Sequence, residues 1–190
     1  VRSIFGNISG ITYPGKTDYY DGEVYTQRAI DLMQDFDPVK VWASEGTLTD
    51  WKSIVTPLNE GCGFVFFSGH GGPGTWSTHP PDDEENWIGG FQNKYMKYLF
   101  NGKKLPVVLC ASGCFVSMYN VSWFNRPYLY GVTMLSKCWS SNMLHKFYGG
   151  SIATIGSSGF SYESSDIKYK YGGCEMLDIF FFGQYGMNQT

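Results

Sequence analysis

Charge is scarce in this chain: charged residues make up 16% of 190, with a formal net charge of −3. A nucleic-acid partner would need a basic face, and the composition supplies none. Long hydrophobic runs are missing too, and no stretch approaches the roughly 20 apolar residues of a membrane-spanning helix. Cysteine is sparse: Cys62, Cys110, Cys114, Cys138 and Cys174. These are too few for a disulfide scaffold, and their odd number leaves at least one thiol if the rest pair. No CxxC pair occurs, which argues against zinc. Repeats and linkers are absent as well. The opening Val1-Arg2-Ser3-Ile4-Phe5-Gly6 has neither an initiator Met nor a signal-peptide pattern. A removed leader or a longer parent chain is therefore expected.

What is present is apolar. Hydrophobic residues reach 43% and aromatics 18%, enough for one packed core and one domain spanning 1–190, with either end open to truncation. After a short strand at 3–6, the first ~20 residues read as loop. Tyr25, Ala29, Leu32, Met33 and Phe36 recur at helical spacing, and Asp37-Pro38 should end that helix. A strand is expected at 39–43. Trp51, Ile54, Val55 and Leu58 predict a second helix, capped by Thr47 or Thr49, shortened by Pro57 and closed by Gly61. Phe64-Val65-Phe66-Phe67 is an unbroken run of β-formers, the pattern of a strand buried on both faces, here over 64–68. Leu105-Pro106-Val107-Val108-Leu109 predicts another over 105–110, and 151–155 a third buried strand. Leu135, Cys138, Trp139 and Met143 suggest a helix stopped by Gly149-Gly150, and Met176 to Phe182 starts a last one. Strands alternating with helices predict a mostly parallel α/β sheet with helices on both faces.

Two of these strands end in polar, glycine-rich turns, Ser68-Gly69-His70-Gly71-Gly72 and Cys110-Ala111-Ser112-Gly113. Active sites of open α/β sheets lie beyond the carboxyl ends of the strands. One strand delivers a histidine there and the other a cysteine. A thiol nucleophile needs a base or cation beside it, usually histidine. Glycines around His70 allow close backbone approach and leave N–H groups for an oxyanion. Taken singly, a cysteine at a strand end is more often a small buried hydrophobe, and a histidine among glycines a turn residue.

The pair, forty residues apart, resembles the caspase-like cysteine peptidases. The resemblance is nearest to the gingipain family, peptidase family C25, and its archaeal relatives. Gly61 to Gly71, followed by Thr75-Trp76, is similar to the histidine block of that family, and Leu105 to Gly113 to its cysteine block. Cys138-Trp139 and Gly149 to Gly156 resemble the helix and strand that follow. The match runs from about residue 15 to about 183. It implies a caspase-like three-layer sandwich and a cysteine endopeptidase acting through an acyl-enzyme on peptide or protein substrates. Cys110 would be the nucleophile rather than Cys114, which does not fit the x-Ser-Gly pattern, and His70 the acid–base partner. The N–H groups of Gly71 and Cys110 would form the oxyanion hole. The departure is Leu109, where many relatives have a small residue.

The same resemblance places Glu23, near the start of the first helix, where arginine-specific members carry an acidic pocket residue, with Asp21 close by. Cleavage after Arg or Lys would follow. Trp76, Phe160 and Tyr162 would line the substrate cleft. No redox or organic cofactor is implied, and location would be extracellular or cell-surface. Two other classes stay open. One is a catalytically silent binding or scaffold domain on the same fold. The other is a proline-iminopeptidase-like serine hydrolase, suggested by His70-Gly71-Gly72-Pro73-Gly74. That class requires a Gly-x-Ser-x-Gly elbow, which the chain lacks. The run Asp82-Asp83-Glu84-Glu85, with His79 before it, reads first as a solvated loop, and a structural metal there would be calcium. The sequons at Asn7, Asn120 and Asn188 add little.

Overall fold

The computed structural model describes residues 2–6, 21–81, 83, 85–121, 135–162 and 173–187. The Gly-, Thr- and Tyr-rich stretch 7–20 lies outside them. In chain order the elements are β1 (Arg2–Gly6), α1 (Asp21–Leu32), β2 (Asp37–Val41), α2 (Trp51–Glu60), β3 (Phe64–Phe67), β4 (His70–Gly72), β5 (Thr75–Thr78) and β6 (Ile88–Gln92). A 3-10 turn (Asn93–Tyr98), β7 (Val107–Cys110), α3 (Trp139–Leu144), β8 (Ala153–Gly156) and α4 (Glu175–Met187) complete the set.

Five strands form a parallel sheet in the order β2-β1-β3-β7-β8. Alternation along the central strands sorts the core into two layers. Phe64, Phe66 and Leu109 point to one face, where Tyr25, Ala29 and Met33 of the α1 side meet Met176, Ile179 and Phe182 of α4. Val65, Phe67, Val108 and Cys110 point to the other, against Ile54, Val55 and Leu58 of α2 and Trp139 and Met143 of α3. The result is an α/β/α three-layer sandwich. The second face also carries an antiparallel sheet, β4-β5-β6, where the glycine-rich sequence after β3 predicts a turn. Its anchor is Trp76, fully buried and edge-on to Phe67 at 4.9 Å, in one cluster with Phe91 and Trp139.

Several boundaries differ from expectation for identifiable reasons. α1 ends at Leu32, and Met33 and Phe36 close turns by donating to the carbonyls of Ile30 and Met33. Asp37-Pro38 therefore starts β2 instead of stopping a helix; proline is tolerated there because β2 is an edge strand. The cap of α2 is Asp50, whose carboxylate accepts from the Lys52 N–H at 2.8 Å, not Thr47 or Thr49. Pro57 leaves α2 intact to Glu60 because the buried Ile54, Val55 and Leu58 hold it to the sheet. α3 begins only at Trp139. Residues 151–155, expected as a strand buried on both faces, instead give β8 at the sheet edge, with Ile155 exposed.

Candidate active site

β3 and β7 are adjacent and parallel, so their carboxyl ends open on the same side of the sheet. Cys110 is the last residue of β7. The chain leaves β3 through Ser68 and Gly69, and His70 opens β4. The glycine-rich segment is thus a paired strand: His70 lies opposite Ser77, Gly71 opposite Trp76, and Gly72 opposite Thr75. Gly69 is packed so tightly over the Trp76 indole that an added Cβ would fall 2.5 Å from Nε1.

The histidine and cysteine turns are joined directly. The Gly69 N–H donates to Ser112 Oγ at 3.1 Å in the interior. A Cβ on Gly71 would lie 2.7 Å from the Gly113 backbone, and a Cβ on Gly113 would lie 2.7 Å from Cys110 Sγ. Gly113 therefore sits between Gly71 and the sulfur, at a distance that admits no side chain on either residue.

Ala111, the residue after Cys110, is clamped at both of its backbone polar groups. Its N–H donates to Asp178 Oδ2 at 2.9 Å. Its own carbonyl, in the next peptide unit, accepts from Ser157 Oγ at 2.5 Å and Ser161 Oγ at 2.7 Å. Asp178 is wholly buried on α4, and its Oδ1 has no hydrogen-bond partner. Burial holds its carboxyl well above the usual range, the Ala111 N–H opposes this, and the neighbouring Glu175 adds to it. Cys110 is 1% exposed. Burial pushes its thiol well up, Asp178 reinforces the rise, and the Gly113 N–H works against it. An isolated thiolate is thus disfavoured here, and forming one requires a proton acceptor delivered to the sulfur.

The other expected site residues separate into groups. The His70 ring is half-buried and packed against His79 and Trp87. Phe160 and Tyr162 are exposed beyond β8, with Phe160 edge-on to Phe115 at 4.7 Å, at the rim of the cysteine turn. Trp76 belongs to the core, and its buried ring supports Gly69 from beneath rather than lining a cleft. Glu23 accepts from the Ser44 N–H at 3.0 Å and the Ser44 hydroxyl at 2.5 Å, in the turn after β2. Burial raises its pKa, and the Ser44 bonds partly offset that. Cys114 faces away toward the loop after β8, where the Ser161 N–H donates to its sulfur at 3.3 Å. Leu109 points to the α1/α4 face, opposite Cys110, so its bulk does not crowd the sulfur. Of the acidic run, Asp82 and Glu84 lie outside the described residues, and Asp83 accepts from the Asn86 N–H and side chain. Among the described residues no three His, Cys, Asp or Glu side chains converge on a metal position, nor is any helix long and apolar enough to cross a membrane.

The model of peptidase family C25 matches residues 6–187. The chain belongs to peptidase family C25. That makes it a member of a cysteine-type peptidase family, with the caspase-like sandwich expected of it. Two solved structures share the fold at a TM-score of 0.54 and 17% identity: the Arg specific cysteine proteinase gingipain R, and the complex of the Porphyromonas gingivalis RgpB pro- and mature domains. Each match covers 85% of this chain, and 32% and 33% of the respective solved chains. This C25 chain thus spans about a third of the length of the structures it resembles. No curated protein sequence matches it significantly.

Two features of this C25 site escaped the sequence reading. In sequence His79 reads as a neighbour of the acidic run. Asp178 and Glu175 sit inside an apolar helix, and the signal that finds them is spacing: Glu175, Asp178, Ile179 and Phe182 fall at i, i+3, i+4 and i+7 and are all buried.

The buried Asp178 gives a test with a defined sign. Its folded pKa is raised, so above the unfolded value near 3.8 the folded state keeps a proton that the unfolded state has lost. Stability then falls as pH rises from there through the raised folded value. Asp178→Asn keeps an oxygen for the Ala111 N–H and removes this loss. Its stability relative to wild type, from denaturant unfolding, is expected to improve steadily from pH 4 to pH 7. The pH curve for alkylation of Cys110 should move to lower pH. A variant less stable at pH 7 than at pH 4 relative to wild type contradicts this.

Proposed function

We propose that this C25 chain is a cysteine endopeptidase acting through a Cys110–His70 dyad. The observation that carries the reading is the junction of the two turns: neighbouring parallel strands bring His70 and Cys110 to one end of the sheet, and Gly71 and Gly113 touch between them. In the reaction, His70 takes the Cys110 proton and the sulfur attacks the scissile carbonyl carbon. The backbone N–H groups of Gly71 and Cys110 stabilise the resulting oxyanion. The C–N bond breaks as His70 gives its proton to the leaving amine, leaving a thioester. Water, deprotonated by His70, attacks the thioester, and the carboxylic acid leaves as the thiol is restored. No step uses a cofactor. The substrate is a peptide or protein chain, and the resemblance to exported peptidases favours an extracellular or cell-surface setting.

Specificity follows from Glu23, a half-buried carboxylate at the start of α1. It offers a basic side chain a charge-assisted partner beside Ser44; Phe160 and Tyr162, in the loop after β8 at the other edge of the sheet, do not wall this pocket and are left to contact the substrate on the cysteine-turn side. Cleavage after Arg or Lys is the expected outcome. Because burial raises the Glu23 pKa, the preference should weaken as pH falls through that raised value.

The complete burial of Cys110 favours a second reading, a catalytically silent binding or scaffold domain. One experiment separates the two. The chain and its Cys110→Ala and Glu23→Gln variants are profiled on a peptide library under reducing conditions. The peptidase reading expects cleavage after Arg or Lys, a loss of about 10⁴-fold or more in kcat for Cys110→Ala, and a roughly tenfold narrower Arg/Lys preference for Glu23→Gln. Full activity in Cys110→Ala removes the mechanism. Unchanged preference in Glu23→Gln removes that residue from the pocket. No turnover by the wild type supports the silent domain.

A further inference from the structure

His70 sits in a stack of three rings. The connection from β5 to β6 folds back over it, and His79 stacks on its ring with centroids 5.1 Å apart and planes 20° apart. Trp87 meets both imidazoles edge-to-face, at 5.2 Å and 80° from His70 and at 5.0 Å and 82° from His79. His79 is 4% exposed, whereas Trp87 is 52% exposed and closes the stack from the solvent side.

The placement follows from the β4–β5 pairing. His70 lies opposite Ser77, and His79 comes two residues later, just past the end of β5 at Thr78. His79 is itself fixed. Its Nδ1 is 2.9 Å from the Pro80 carbonyl oxygen. A carbonyl only accepts, so Nδ1 carries the hydrogen and the ring plane is set by its own backbone. A metal role for His79 finds no support among the described residues: no three-residue ligand cluster forms there, and the Asp83 carboxylate is engaged by Asn86.

The ring of a catalytic histidine has to present one nitrogen to the sulfur and then to the leaving amine. Its two-fold terminal torsion is broad, and a half-buried imidazole without lateral support can sample orientations that serve neither step. Gly69 and Gly71 flank His70 in sequence and provide no side chain to lean on. Against the ring itself lie His79 and Trp87, both from between β5 and β6. We infer that His79 is a positioning residue for His70, its backbone-locked ring stacking on the His70 imidazole while Trp87 closes the group from outside. This rests on the dyad proposed above. It adds that the geometry of the dyad is set by a segment that supplies neither the nucleophile nor the base.

The test uses the whole chain and three variants. His79→Phe keeps a flat ring and loses the imidazole nitrogens. His79→Ala removes the ring. His79→Leu fills the space without a flat face, and it replaces the alanine variant if that one fails to fold. Peptide hydrolysis gives kcat and KM separately. The Cε1–H resonance of His70 is followed by NMR, its shift corrected for the ring current of residue 79 itself, so that what is read is movement of the His70 ring. His79→Ala or His79→Leu is expected to lower kcat about tenfold or more with KM within about twofold, and to move the His70 resonance. His79→Phe is expected to recover kcat to within about threefold and to keep the resonance near its wild-type position. Wild-type kcat with an unmoved resonance in the ringless variants overturns the inference. So does a phenylalanine variant as impaired as the alanine one, since imidazole chemistry and not ring stacking would then be at work. The resonance is measured without turnover. A chain that hydrolyses no peptide therefore refutes the peptidase reading, while the NMR arm alone still decides whether His79 holds His70.

Discussion

A side chain at Gly71 would bring its Cβ within 2.7 Å of the Gly113 backbone, and one at Gly113 within 2.7 Å of the Cys110 sulfur. Much of the remaining architecture serves this close approach. The parallel pairing of β3 with β7 brings two strand ends side by side. Trp76 packs under Gly69 and fixes the height of the histidine turn, while the Gly69 N–H bond to Ser112 ties that turn to the cysteine one. From the third side the Trp139 N–H donates to the Pro73 carbonyl at 2.7 Å, so α3 holds the tip of the β4–β5 hairpin. Close contact of this kind leaves few alternative packings, because interiors at this density yield only in discrete steps.

Electrostatics at the same point work against a resting thiolate. Cys110 is enclosed by core side chains, and the nearest carboxyl, Asp178, is itself buried and pushed toward its neutral form. The helix that carries Asp178 nonetheless contributes to the site through the backbone, since its carboxyl takes the Ala111 N–H while Ser157 and Ser161 take the Ala111 carbonyl. Cys110 is thus held through the backbone of the residue that follows it rather than by contacts to its own sulfur. In the proposed dyad, activation is left to the histidine turn. Local rigidity and a latent thiol are two results of one arrangement.

The sequence reading succeeded where one signal dominated. Phe64 to Phe67 and Val107 to Cys110 are strands because unbroken β-branched and aromatic runs bounded by turn residues suit only a doubly covered position. The adjacency of the two turns that follow them was legible too, because consecutive parallel strands open on one side of the sheet. The failures came where tertiary packing overrode local pattern. His70-Gly71-Gly72 looks like a loop by composition, but pairing with Thr75 to Ser77 makes it a strand. Trp76 looked like a cleft residue beside a functional histidine, yet a large ring at an inward-facing strand position is drawn into the core. The bonds of Glu23 to Ser44 were equally illegible, because only the fold brings the turn after β2 beside the start of α1. The contribution of Asp178 could not be seen without knowing which helix closes over β7.

The account stands on Cys110 being the thiol that His70 addresses. The decisive measurement is the site and rate of alkylation when the chain meets a limiting amount of a peptidyl chloromethyl ketone ending in Arg, mapped by peptide mass spectrometry in wild type and in His70→Ala. The predicted result is a single adduct on Cys110, formed at least about tenfold more slowly once His70 is replaced. An adduct on Cys114 or Cys174, or labelling of Cys110 at the same rate without His70, would contradict it.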